Sequence, residues 1–209
     1  MNKIPTLFKR VFGSHQVIDI KDEITPGCED AFLHGIATLK VDGACCAIID
    51  GVLYKRYDAK NGKQPPAGAI PCCNPDPVTG HWPHWVKVDP TNNADKWFVR
   101  AMRGNTKDGT YEAIGRHFNG NPYGLAYDIG VMHGVCQVNV ERTFAGVKAY
   151  LDEHLVEGLV FWLDGEPVCK IKRTDFGFMW PVRSGRYDQF PACPNPLTRE
   201  KAEEVLKDV

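Results

Sequence analysis

Two Asp-Gly dipeptides, each set between runs of strand-forming residues, constrain this chain more than any other feature. In a two-residue hairpin loop both central residues take positive φ, and Asp-Gly is among the few pairs that tolerate it. The first predicted hairpin runs Ala44-Cys45-Cys46-Ala47-Ile48-Ile49, turns at Asp50-Gly51 and returns through residues 52–57. The second runs through residues 157–163, turns at Asp164-Gly165 and returns through 168–172. A further short strand is expected over 109–114. Helices fit residues 94–102, behind Thr91 and Asn92 as caps, and the stretch where Phe144, Val147, Leu151 and Leu155 recur at helical spacing. A short third helix fits 198–207, and residues 60–90, rich in Pro and Gly, read as an ordered but irregular loop. Hairpins mixed with helices indicate an α+β (mixed α/β) domain with antiparallel sheets. Neither repeats nor a low-complexity linker interrupts the chain, so one compact domain over residues 1–209 is expected.

Charge excludes one broad class. A net charge of -1 and a pI near 6.6 argue against coating nucleic acid through bulk positive charge. A local basic groove remains open, because Lys and Arg gather at Lys55-Arg56, Lys60, Lys63, Lys170, Lys172-Arg173, Arg183 and Arg186. The eight cysteines include the adjacent pairs Cys45-Cys46 and Cys72-Cys73, which look like small buried hydrophobes and not a disulfide framework. Cys72-Cys73 with His81 and His84 matches no familiar zinc spacing. No apolar run reaches membrane-span length, and the first residues lack the apolar core of a signal peptide. A cytoplasmic protein with no membrane partner is expected.

The chemistry gathers around Lys40-Val41-Asp42-Gly43, which follows the apolar run 35–39 and precedes the first hairpin. A lysine at such a junction can project from a rigid scaffold, and it acts as a nucleophile only as a neutral amine, a form that burial and nearby cations favour. Alone, the tetrapeptide describes many surface turns. The hairpins add to it. Counting outward from Asp164-Gly165 sets Glu157 opposite Lys172 and Leu159 opposite Lys170, so Glu157, Lys170 and Lys172 share a face; a longer loop around Pro167 would shift that register by a residue or two. One carboxylate and two ammonium groups suit a nucleotide phosphate with its divalent metal. The bland alternative is a solvated cross-strand ion pair, which the apolar neighbours Val156, Leu159, Val160 and Phe161 weaken. The same counting on the first hairpin sets Arg56 opposite Cys45, on the strand flanking the Lys40 turn, where its planar fork suits a phosphate. In the third strand Thr110, Glu112 and Ile114 share a face, which leaves one acid among uncharged groups.

The order Lys40-Val41-Asp42-Gly43, Arg56, Tyr111-Glu112-Ala113-Ile114-Gly115, Glu157-Gly158-Leu159-Val160 and Lys170-Ile171-Lys172 resembles the covalent nucleotidyltransferases. That superfamily holds the ATP-dependent RNA and DNA ligases and the mRNA-capping enzymes. The resemblance extends from about residue 36 to 175 and is nearest to small 5′-to-3′ RNA ligases, through Asp108-Gly109-Thr110-Tyr111-Glu112, Asn119-Gly120-Asn121-Pro122-Tyr123-Gly124 and Arg173-Thr174-Asp175-Phe176-Gly177. It implies the ligase adenylation fold, with antiparallel sheets flanked by helices. Only 36 residues follow Arg173 (209 − 173), too few for an OB domain, which favours an RNA ligase over a DNA ligase or a capping enzyme. By this resemblance Lys40 would take AMP from ATP, supported by Asp42 and Gly43 of its turn. Arg56 would contact the ribose or a phosphate, and Glu112 the ribose hydroxyl. Glu157 would hold Mg2+ or Mn2+, and Lys170 and Lys172 would bind the α-phosphate. Tyr123 and Tyr127 are the candidates for stacking on adenine. Leu39 stands where many relatives carry a polar residue that helps read the base. The implied partner is RNA with 5′-phosphate and 3′-hydroxyl ends. A minimal DNA ligase, a guanylyltransferase and a non-catalytic module that binds nucleic-acid ends remain the alternatives.

Overall fold

A computed structural model describes residues 3–14, 16–60, 62–77 and 79–181. In chain order the first elements are β1 (Phe8–Gly13), β2 (Gln16–Ile24), α1 (Glu29–His34), β3 (Ile36–Lys40), β4 (Ala44–Ile49) and β5 (Val52–Ala59). Next come β6 (Ile70–Pro71), β7 (Trp82–Lys87), α2 (Lys96–Ala101), β8 (Gly109–Ile114), β9 (Ile129–Met132) and β10 (Gln137–Val138). The last are α3 (Phe144–Glu153), β11 (Gly158–Leu163), β12 (Glu166–Lys172) and a 3-10 turn over Arg173–Phe176. This is a mixed α+β fold with antiparallel sheets and few helices. Among the described residues, no helix is long and apolar enough to cross a membrane.

The chain divides into two compact units. Among the described residues one unit holds residues 42–133, and the other holds residues 3–41 together with those from Gly134 on.

The first unit is organised by a six-stranded sheet in the order β6-β7-β5-β4-β8-β9. Its central hairpin turns as expected, with Asp50 at φ 50° and Gly51 at φ 71° and with Ile49 paired to Val52. Alternate residues of β4 and β8, Cys46, Ile48, Tyr111 and Ala113, bury against Ala101, Met102 and Phe118. Helix α2 begins two residues later than the sequence suggests, because Asn92 Oδ1 accepts from the Ala94 N–H and stabilises a turn ahead of the helix. The stretch expected to be irregular, 60–90, contains two strands: β7 pairs with β5 along its length and with the short β6. Pro83 sits within β7 with its carbonyl accepting from Cys72 N–H, and the buried His84 and Trp85 fasten the strand to the sheet.

The second unit is built on a four-stranded sheet, β10-β3-β11-β12, beside the two-stranded β1-β2 hairpin. One sheet face is apolar: Ala37 and Leu39 of β3, Leu159 and Phe161 of β11, and Cys169 and Ile171 of β12 are nearly all fully buried. Phe32 of α1 meets Phe161 edge-on at 5.4 Å and Phe8 at 5.6 Å, and Phe8 meets Phe144 of α3 at 5.0 Å. Thr143 caps α3 by accepting from Gly146 N–H, and Val147 and Leu151 turn inward. The β1-β2 hairpin and α1 carry no sequence signal as plain as Asp-Gly, and neither was expected. The helix expected at 198–207 lies outside the described residues, as do Arg183 and Arg186.

Candidate functional site

Lys40 is the last residue of β3, so its place is set by a strand whose neighbouring residues are locked into the core. It pairs with Gly158 of β11, and Gly158 in turn pairs with Lys172 of β12. Residues directly opposite on antiparallel strands point to the same face. Lys40 and Lys172 therefore rise on the same side, on either side of a glycine. A side chain cannot replace that hydrogen: a Cβ at Gly158 would lie 2.1 Å from the Ile171 carbonyl oxygen. The gap above Gly158 is filled by the carboxylate of Glu157. Its Oε2 lies 2.5 Å from Lys40 Nζ and its Oε1 lies 2.9 Å from Lys172 Nζ. Glu157 is 6% exposed, so this is a shielded ion pair and not a solvated one.

The register expected from the turn needs correcting. Asp164 and Gly165 both take positive φ, and Leu163 pairs with Glu166 as counted. A bulge then intervenes, with Trp162 paired to Pro167 and Phe161 to Cys169, leaving Val168 as the extra residue. Pro167 has no N–H to donate to the ladder, which explains a bulge there. Lys172 therefore faces Gly158 instead of Glu157, and Lys170 faces Val160 instead of Leu159. The side chains still converge, because Glu157 precedes the regular strand and its carboxylate turns onto the lysine face. Leu39, on the opposite face, is 6% exposed and belongs to the core.

Lys170 completes a cluster of cations around Glu157. Burial, followed by the charges of Lys40, Lys172 and Arg10, lowers its ammonium from 10.5 to about 8, against the pull of Glu157. The unfolded chain thus holds this proton more tightly than the folded protein does. Below pH 8 the fold bears the full penalty; between about 8 and 10.5 the penalty fades as pH rises. Lys170→Met should accordingly stabilise the protein most below pH 8, with the gain shrinking toward pH 10.5 in denaturant titrations. A gain that stays constant over that range would contradict this origin.

Of two further groups near the cluster, Asp175 enters the sequence reading only within the stretch Arg173-Thr174-Asp175-Phe176-Gly177, and Arg10 does not enter it. Asp175 accepts from the Lys172 backbone N–H at 2.8 Å and from Arg10 Nε and Nη2 at 3.0 and 2.7 Å, which ties the end of β12 to β1. Arg10 lies 165 residues away in sequence, and no local pattern could announce the pairing. Arg173, grouped above with the basic residues, is buried and structural: its guanidinium donates to the carbonyls of Leu151, His154 and Met179.

In the first unit, Glu112 stands on β8 opposite Cys45 of β4 and Val131 of β9. Its Oε1 accepts from Gly43 N–H at 3.2 Å, and its Oε2 lies 3.0 Å from His133 Nε2. The neighbouring Asp42 is held through its N–H, donated to the Tyr123 hydroxyl at 2.7 Å, and through Asn119 Nδ2, which donates to Asp42 Oδ1 at 3.0 Å. Tyr123 is 3% exposed, so its visible role is to fix this turn, while Tyr127 is half-buried. Arg56 sits across from Trp85, and its Nε and Nη2 donate to Asp58 at 2.7 and 3.2 Å. The guanidinium also reaches the Cys45 thiol.

Among the described residues, Cys45, Glu112 and His133 form the one His/Cys/acid group compact enough for a metal, with ligand atoms within 4.8 Å of one another. Burial, followed by the Glu112 carboxylate, pushes the Cys45 thiol up to about 12, which favours the neutral thiol over the thiolate that ligation requires. Cys72-Cys73, His81 and His84 form no such group: His81 pairs with Asp58, and the ring of His84 faces the Trp82 carbonyl.

No protein-family model matches the chain. Among curated proteins it is similar to RNA ligase 1 of Danio rerio, at 26% identity over 86% of this chain and 82% of that protein. RNA ligase 1 of Rattus norvegicus is 24% identical over 78% of this chain and 73% of its own length. RNA ligase 1 of Pongo abelii is 23% identical over 77% and 73%. Similarity that runs through most of the chain, together with the order of the lysine and carboxylate motifs, supports its assignment to the RNA ligase family.

Proposed function

We propose that this chain is an ATP-dependent RNA ligase that joins 5′-phosphate and 3′-hydroxyl ends through AMP carried on Lys40. The observation that carries the reading is the arrangement of Lys40 and Lys172 about the Glu157 carboxylate, on a sheet whose other face is core. The adenylation fold of the covalent nucleotidyltransferases belongs to the same proposal.

In the first step the free amine of Lys40 attacks the α-phosphorus of ATP. A phosphorus–nitrogen bond forms, the bond to the bridging oxygen breaks, pyrophosphate leaves with that electron pair, and the nitrogen gives up one proton to solvent. Lys170 and Lys172 stabilise the negative charge that builds on the α-phosphate oxygens. Lys170 is suited to this because a phosphate adds negative charge beside a half-buried ammonium that is crowded by Lys40, Lys172 and Arg10. A single shielded carboxylate, with the remaining ligands coming from phosphates and water, fits the way magnesium is bound in nucleotide sites, and Glu157 is the residue that would hold it. The ion would add positive charge at the phosphates. Arg56 and Glu112 take the phosphate or ribose contacts described above, and Asp42 and Gly43 fix the turn that follows Lys40. AMP then passes to the RNA 5′-phosphate and is displaced by the 3′-hydroxyl.

Ribonucleotide preference tests the substrate. A contact to a 2′-hydroxyl, a donor and an acceptor, is worth roughly 1 to 3 kcal/mol when its loss strands a buried polar group. That corresponds to a preference of about tenfold or more. Nicked duplexes whose terminal 3′ nucleotides alternate between ribose and deoxyribose, sealed in a single turnover by pre-adenylylated protein, should show it. Equal rates would replace the RNA assignment with that of a minimal DNA ligase.

A further inference from the structure

The nearest polar partner of Glu112 lies outside every motif that the sequence points to. His133 directly follows β9, and its backbone N–H donates to the Thr110 carbonyl at 3.0 Å, which fixes it beside β8. Its ring is clamped from both ends, with Nδ1 2.9 Å from Thr110 Oγ1 and Nε2 3.0 Å from Glu112 Oε2. A proton on Nε2, with the Thr110 hydroxyl donating to Nδ1, satisfies all three groups with a neutral imidazole. The other carboxylate oxygen of Glu112 is held by Gly43 N–H. Each oxygen of Glu112 thus has one fixed donor and a lone pair to spare. The Glu112 and His133 side chains are 14% and 22% exposed, shielded enough for these bonds to set direction while leaving the carboxylate reachable.

We infer that His133 is the positioning residue that aims Glu112 at the nucleotide ribose, so that discrimination between ATP and its deoxy analogues resides in the Thr110–His133–Glu112 relay. This rests on the reading of Glu112 as the ribose-binding acid. Without the imidazole, Glu112 keeps, among the described residues, the Gly43 contact and can rotate away, so the hydroxyl contact weakens while the rest of the nucleotide binds as before. The competing use of the same atoms is a thiophilic metal held by Cys45, Glu112 and His133.

The test is equilibrium binding of ATP, 2′-deoxy-ATP and 3′-deoxy-ATP to the wild-type protein and to His133→Ala, His133→Gln and Cys45→Ser, each checked for folding by thermal melting. The wild type should prefer ATP to at least one analogue by about tenfold, the ratio that 1.4 kcal/mol confers. His133→Ala should bring that ratio close to one. His133→Gln, whose amide can donate to Glu112 and accept from Thr110, should restore most of it, which a merely structural role would not predict. A folded His133→Ala protein that retains wild-type discrimination overturns the inference. So does a Cys45→Ser variant or a chelator-treated wild type that loses discrimination equally, since that result assigns the cluster to a metal. Wild-type protein that binds ATP and both analogues equally overturns this inference alone, whereas failure to bind ATP at all overturns it together with the proposed function.

Discussion

Lys40→Ala is expected to abolish both the protein–AMP adduct and ATP-driven sealing, a loss of about a thousandfold or more, while RNA supplied with an already adenylylated 5′ end is still joined. The nucleophile is needed only to take AMP from ATP, and no neighbouring group can replace its covalent bond. The fold should survive. Lys40 is at the end of β3 with its side chain on the polar face, and after its removal Glu157 keeps Lys172 at 2.9 Å as a partner. Circular dichroism and thermal melting should therefore report a native variant. Loss of joining with pre-adenylylated RNA as well would mean that Lys40 also shapes the strand-joining step.

Glu157→Ala and Lys172→Ala should each slow adenylylation by about a hundredfold, and the double variant should lose less than the product of the two. Oε1 of Glu157 and Nζ of Lys172 touch directly, so removing either alters the setting of the other. Glu157→Ala carries a further cost, because Lys40, Lys170 and Lys172 are left without the carboxylate among them. Glu157→Gln preserves the shape while removing the charge, and it separates packing from electrostatics. Multiplicative losses in the double-mutant cycle would place the two residues in separate functions.

Much of this architecture was legible because its determinants are local. Asp50-Gly51 and Asp164-Gly165 each specify a turn, and the alternation of their flanking residues specifies a buried face. The strand Gly109–Ile114 falls where the sequence set it, and Thr143 begins α3 through its side chain. The register of β12 was misjudged by one residue because a proline inside the return strand absorbs an extra residue as a bulge. That error did not scatter the site, since Glu157 lies outside the ladder. The strand at Trp82–Lys87 was hidden by Pro83 and by surrounding prolines and glycines, although β5 supplied the partner that its backbone needed. The supporting groups were illegible for a different reason. Arg10 with Asp175, and His133 with Glu112, are pairings between distant segments, and a lone histidine or arginine carries no periodic signal.

The most direct measurement of the central claim is the site of AMP attachment. The wild-type protein is incubated with ATP and magnesium, its intact mass is recorded, and the modified peptide is sequenced by mass spectrometry. The account predicts an increase of one AMP, carried on the Lys40 side chain through an acid-labile bond and lost when pyrophosphate is added back. No adduct under these conditions, or AMP attached to Lys170, Lys172 or any other residue, would contradict it.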